Sequence, residues 1–143
     1  MTTSTATSTW NGGLKNGSGT FQAASGAFQA PYSFPTRFEG LKGTNPEELL
    51  AAAHSACFSM ALSAGLEQAG HPATTVTTTA SVTIGVVGGA PKITNIKLVV
   101  RAKVPGLDQA GFIKAAEAAK NGCPVSILFK GNVTVELDAL LLE

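Results

Sequence analysis

From Leu49 to Leu66 the chain carries no formally charged side chain, and helix signals bound the run on both sides. Asn45 can accept from the orphan amides of a first turn, Pro46 suits the first helical position, and Glu48 completes a capping-box spacing. At the far end Gly70 can take the left-handed conformation that stops a helix, and Pro72 cannot continue one. The spacing predicts one long helix between those caps, apolar nearly all round. A helix of that kind is normally buried on several sides, so the rest of the chain must be arranged around it.

Strand signals flank the helix. Before it, Thr7-Ser8-Thr9-Trp10 and Gly19-Thr20-Phe21-Gln22 are separated by Asn11-Gly12-Gly13 and Asn16-Gly17, the chemistry of a hairpin or meander. Tyr32 to Gly40 is aromatic and broken by Pro35, and reads as a loop against an apolar surface. After it, Val76, Thr78, Ala80, Val82, Ile84 and Val86 alternate along one face, and Ile96, Leu98, Val100, Ala102 and Val104 repeat the pattern beyond Gly88-Gly89. That is a long antiparallel hairpin. Asp108 is placed to cap a helix ending at Asn121-Gly122, Pro124 to Phe129 opens a short one, and Val133 to Leu137 reads as a last strand. These elements predict an α+β fold, mostly antiparallel in its sheet, with a long central buried helix, in a single domain over residues 1–143.

Charge and cysteine usage narrow the function. Charged residues make up 13% of the chain against 44% hydrophobic ones, which predicts that a second copy covers part of the surface. The net charge is +1 with Lys and Arg scattered, so neither a nucleic-acid groove nor an anionic membrane surface is expected. The apolar run approaches the ~20 residues that span a bilayer, but it is rich in Ala and Ser, contains His54 and is followed by Glu67, which argues against a membrane reading. Met1 to Thr9 lacks both the basic and the apolar parts of a secretory leader, so the cytoplasm is the expected compartment. Cys57 and Cys123 stand without a C-x-x-C or a paired His spacing, which disfavours zinc. In a reducing compartment such thiols are either redox-active or simply buried.

A thiol in the middle of an apolar helix is held neutral by desolvation. Lowering it from about 8.5 to about 6 takes roughly 3.4 kcal/mol at ~1.36 kcal/mol per unit. One opposite charge at about 4 Å supplies around 4 kcal/mol where the effective dielectric is ~20. Arg37, among Tyr32, Phe34 and Phe38, is the candidate cation, and Glu47 in the first helical turn can hold it by a bidentate contact. The plainer alternative makes Arg37 a surface residue and Glu47 a complement to the helix dipole. Ten residues of helix put Glu47 about 15 Å from Cys57 along the axis. Either Arg37 spans that gap, or Glu47 serves the Cys57 of a second copy whose helix crosses near Ala52. His54, three residues before Cys57, is a second candidate base, and Cys123, just before a helix N-terminus, is placed to attack or resolve.

Taken together, R-F-E-G at Arg37 to Gly40, N-P-E-E-L at Asn45 to Leu49, A-C-F-S-M-A-L at Ala56 to Leu62 and C-P-V-S at Cys123 to Ser126 resemble the osmotically inducible protein C (OsmC) and organic hydroperoxide resistance (Ohr) family, on its OsmC branch. The resemblance covers nearly the whole chain. It implies an intertwined homodimer and a thiol-dependent peroxidase that turns organic hydroperoxides into alcohols in oxidative or osmotic stress defence. It also implies roles: Cys57 as peroxidatic cysteine, Cys123 as the resolving cysteine that closes a disulfide with it, Arg37 as the activating arginine and Glu47 as the glutamate that orients it. No bound cofactor or metal is implied, only an external dithiol reductant, for which dihydrolipoyl groups are the family's candidates. Phe34, Phe38, Phe58 and Met60 are the residues expected to form an apolar mouth for the substrate. Two other classes stay open: a Cys57–His54 acyl-transfer hydrolase, and a non-enzymatic dimer that binds an apolar ligand.

Overall fold

Turn chemistry and alternation build two separate three-stranded sheets in the computed structural model, which describes residues 1–142. The chain divides into two units, Met1–Leu49 and the residues from Leu50 onward. In the first, β1 (Ala6–Asn11), β2 (Ser18–Ala23) and β3 (Gln29–Tyr32) form an antiparallel meander. The expected meander is present with a third strand added. That strand is four residues long and contains Pro31, which an edge tolerates because no amide is needed there. Gly19 on β2 lets rings lie close over the strand, since a Cβ there would stand 2.6 Å from Tyr32 and 2.7 Å from Trp10. The Tyr32 ring centroid is accordingly 5.4 Å from that of Trp10 and 5.4 Å from that of Phe21.

The stretch expected as a loop is partly helical. Residues Phe34–Phe38 form α1, with Ser33 as N-cap. The Thr36 amide donates to Ser33 Oγ at 3.3 Å and the Ser33 amide donates to Thr36 Oγ1 at 2.9 Å, a reciprocal capping box. Pro35 sits in the first turn, where its missing amide costs nothing. The proline that rules out a central strand is thus compatible with a helix start.

Both ends of the long helix α2 (Pro46–Gln68) follow from its caps. Asn45 Oδ1 accepts from the Glu48 amide at 2.8 Å. At the other end Gly70 has φ +83°, its amide donates to the Glu67 carbonyl at 3.0 Å, and the His71 amide donates to the Leu66 carbonyl at 2.9 Å. This is a Schellman closure, open to glycine without strain. By length and composition α2 meets the requirement for a membrane span. Its residues Phe58, Leu62 and Leu66 nevertheless share one core with strand and helix residues of the second unit.

In that unit β4 (Thr75–Val87) and β5 (Ala90–Lys103) form the antiparallel hairpin, and β6 (Thr134–Leu141) lies beside β5 in parallel. A parallel neighbour needs a long crossover, and α3 (Gln109–Gly122) with α4 (Pro124–Phe129) supplies it. Asp108 caps α3 through the Gly111 amide at 2.8 Å. The Gln109 side chain ties α3 to β6, donating to the Ala139 carbonyl and accepting from the Leu141 amide, each at 2.9 Å. Ile96, Leu98, Val100 and Ala102 of β5 are fully buried with Phe112 and Ala116 of α3. The register slips between Thr83 and Ile84, so the alternation of β4 breaks there and Val86 ends up exposed rather than on the inner face.

Beyond Glu47 in the first turn, the residues of α2 buried among the described residues are one stripe, His54, Phe58, Leu62 and Leu66, at steps of four. Ala53, Ala56, Met60 and Ala64 are exposed. The helix expected to be covered on several sides is therefore covered on one, and its other faces remain apolar and open. His54 is the polar member of the stripe. Its Nε2 lies 2.7 Å from Ser126 Oγ on α4, its Nδ1 has no hydrogen-bond partner among the described residues, and burial pushes the imidazole below its ordinary pKa. A base depressed on folding stays neutral while the unfolded chain takes up the proton, so stability is full above about pH 6.5 and falls as pH drops below it. Unfolding in urea should show the gap between wild type and His54→Gln narrowing from pH 7.5 to pH 5. A gap constant across that range would contradict a neutral buried His54.

Candidate active site

Two thiols meet in the second unit. Cys57 lies in the middle of α2 and is half-buried, whereas Cys123 is fully buried at the junction of two helices. Its position is fixed by backbone bonds on both sides: the Cys123 amide donates to the Ala119 carbonyl at 2.8 Å, closing α3, and its carbonyl accepts from the Ile127 amide at 3.0 Å, opening α4. Pro124 then occupies the first helical position. The result is a Cys123 Sγ 3.0 Å from Cys57 Sγ, with both thiols free. Residues 66 apart in sequence are thus brought into contact.

Within this surrounding the Cys57 thiol is pushed above its ordinary pKa, first by burial and then by its contact with Cys123, while a hydrogen bond from the Val125 backbone amide works the other way. As expected for a thiol on an apolar helix, desolvation leads. A thiolate at neutral pH therefore requires a further positive charge.

The first unit holds such a charge in fixed geometry. Arg37, near the end of α1, donates through Nη2 to Glu47 Oε1 at 2.8 Å and through Nε to both carboxylate oxygens at 3.2 Å. Glu47 is 5% exposed, and the guanidinium carbon also lies 5.1 Å from the centre of the Phe38 ring. A carboxylate gripped in this way sets the plane of the guanidinium. Asn45 Nδ2 donates to the Thr36 carbonyl at 3.3 Å, which ties α1 to the cap of α2.

Beside Arg37, still in the first unit, lies a cavity of about 240 Å³ lined by Trp10, Leu14, Tyr32, Phe34 and Phe38. Phe34 and Phe38 pack together with centroids 4.9 Å apart. Of the four residues expected at an apolar mouth, these two line a cavity. Phe58 is fully buried among Leu62, Ile96 and Phe112 of the core, and so presents no surface to a ligand; Met60 is 75% exposed. Its i+4 spacing to His54 and Leu62 is the sequence signal that assigns Phe58 to the core. Trp10, Leu14 and Tyr32 were not anticipated there. Trp10, the chain's single tryptophan, in a strand next to a Gly-rich turn, was the available signal.

His54 does not pair with Cys57. Its bonded nitrogen faces Ser126, and the nucleophile–base hydrogen bond that acyl transfer requires is not found among the described residues. Nor is there among them any cluster of three His, Cys, Asp or Glu side chains able to hold a metal ion.

Comparison with known proteins shows the family. Residues 39–138 match the family model described as OsmC-like protein. The chain is 49% identical over 128 residues to peroxiredoxin OsmC of Escherichia coli (strain K12), covering 89% of this chain and 90% of that protein. It is 35% identical over 115 residues to the organic hydroperoxide resistance protein of Xanthomonas axonopodis pv. citri (strain 306), 78% of each being covered. Among solved structures, the organic hydroperoxide resistance protein OhrB of Bacillus subtilis superposes with a TM-score of 0.76 at 29% identity, over 95% of this chain and 98% of that one. On both sequence and fold, the chain belongs to the OsmC-like family.

Proposed function

We propose that this protein is a thiol-dependent peroxidase that reduces organic hydroperoxides to alcohols. The observation that carries the reading is the 3.0 Å approach of two free thiols, one half-exposed on a helix and one buried at the start of another. The names of its relatives, a peroxiredoxin and organic hydroperoxide resistance proteins, support it.

In the proposed cycle the Cys57 thiolate attacks the distal oxygen of the hydroperoxide. The O–O bond breaks, the leaving alkoxide takes a proton to become the alcohol, and Cys57 becomes a sulfenic acid. The Cys123 thiol then attacks that sulfenic sulfur, forming the disulfide and releasing water. An external dithiol, for which dihydrolipoyl groups are candidates, returns both thiols. Arg37, oriented by Glu47, supplies the charge that offsets burial at Cys57 and stabilises the peroxide oxygens as negative charge develops. Aromatic residues such as Phe34 and Phe38 favour an organic substrate over hydrogen peroxide. The protein acts as a homodimer, with the open apolar faces of α2 covered by a second copy, and in the cytoplasm, where the thiols are kept reduced.

Turnover of cumene hydroperoxide with dihydrolipoamide as reductant tests the roles. Cys57→Ser should be inactive, and Cys123→Ser, given the hydroperoxide without reductant, should consume about one equivalent and stop at the sulfenic acid where wild type stops at the disulfide; Cys57→Ser at the wild-type rate would overturn the proposal. The arginine is tested separately by alkylation of Cys57 against pH in a Cys123→Ser background. Adding Arg37→Met should raise the midpoint by one to two units, cutting alkylation at pH 7 by about 10- to 100-fold. Coincident profiles would remove Arg37 from thiolate activation.

A further inference from the structure

The buried stripe of α2 contains one residue that its packing does not explain. Phe58, Leu62 and Leu66 fill the core with carbon, but His54 in the same stripe brings in an imidazole whose Nδ1 has no hydrogen-bond partner among the described residues. A leucine there, facing an alanine at 126, would leave no orphaned polar atom, which makes the pair costly if packing is its only task. What the imidazole gains is a single directional bond of 2.7 Å to Ser126.

The place of that bond matters. His54 precedes Cys57 by three residues on α2, and Ser126 follows Cys123 by three residues in α4, so the two contacts form adjacent rungs between the same two elements. Helix α4 has only six residues, too short to be stable by itself. Its Ile127 and Leu128 are 54% and 70% exposed, and Ser126 is its one buried side chain. Val125 and Phe129 of α4 also pack against the core, the Phe129 ring centroid 5.6 Å from that of His54, and the Val125 amide donates to Cys57; the His54–Ser126 bond is the side-chain tie between α4 and α2 that involves neither cysteine.

We propose that His54 and Ser126 are a positioning pair for the second chemical step, holding α4 so that Cys123 meets the oxidised Cys57. The inference rests on the peroxidase reading and deepens it. In that step the Cys123 sulfur attacks the Cys57 sulfenic sulfur, the S–S bond forms as the S–O bond breaks, and the departing hydroxide leaves as water with the thiol proton. The hydrogen bond touches none of these atoms and sets only their approach.

The test uses Ser126→Ala, which removes the hydroxyl with little change in volume, and Ser126→Thr, which restores it. Rapid mixing with cumene hydroperoxide followed by acid quench and mass analysis separates sulfenic acid formation from disulfide closure. Ser126→Ala should form the sulfenic acid at the wild-type rate but close the disulfide about five- to tenfold more slowly, with more sulfinic acid as by-product. Ser126→Thr should recover most of the rate. Closure driven by diamide, a thiol oxidant that needs no peroxidase chemistry, should show the same order. Failure of the wild type to react with hydroperoxide while diamide still separates the variants would overturn the peroxidase reading and leave the positioning role supported. Equal closure rates for wild type and Ser126→Ala with diamide, both proteins melting as folded chains, would overturn the positioning role.

Discussion

The close approach of Cys57 and Cys123 depends on a helix-to-helix junction with no spare residue. Cys123 ends α3 and begins α4 through its own backbone groups, and Pro124 holds the turn. The junction is in turn fixed by Phe112, Ala116 and Ala119 of α3, which pack into the same core as β5 and the buried stripe of α2. Once that core has formed, a sulfur on α2 and one at the junction are in contact whether or not any peroxide is present. Proximity of this kind replaces a bimolecular step by a local one, which is how a slow thiol exchange becomes fast.

That core also creates an electrostatic problem. Burial and the neighbouring thiol both favour a neutral Cys57, and the Val125 amide opposes them only in part. The chain contains a guanidinium whose orientation is fixed by a nearly buried carboxylate, an arrangement with strong directional bonds and little freedom. One such charge is of the right size to reverse the desolvation, by the Coulomb magnitudes that apply near a protein surface. The pair of thiols and the Arg37–Glu47 pair are built by different parts of the chain, each held by its own contacts.

How much of this could be read from the sequence varied with the range of the interaction. The ends of α2 were legible because Asn45, Glu48 and Gly70 act within one turn of themselves. The β4–β5 hairpin was legible from alternation, but its register slip at Thr83 and Ile84 was not, and neither was the parallel seat of β6, which pairs with β5 across two intervening helices. The short β3 and α1 were hidden by prolines that read as interruptions and in fact sit at an edge and in a first turn. Arg37 and Glu47 were legible as a pair because an arginine among aromatics calls for a nearby acid. The His54–Ser126 bond joins residues 72 apart and leaves no local signal. Phe58 was read as a lining residue where its i+4 spacing with the stripe places it in the core.

The central claim is that the two sulfurs in contact are oxidised together by a hydroperoxide. Free thiols counted on the reduced protein before and after one molar equivalent of cumene hydroperoxide, followed by peptide mapping without reduction, test it most directly. The account predicts that both titratable thiols disappear and that a single cross-linked peptide joins Cys57 to Cys123. Two thiols still free after the hydroperoxide has been added would contradict it.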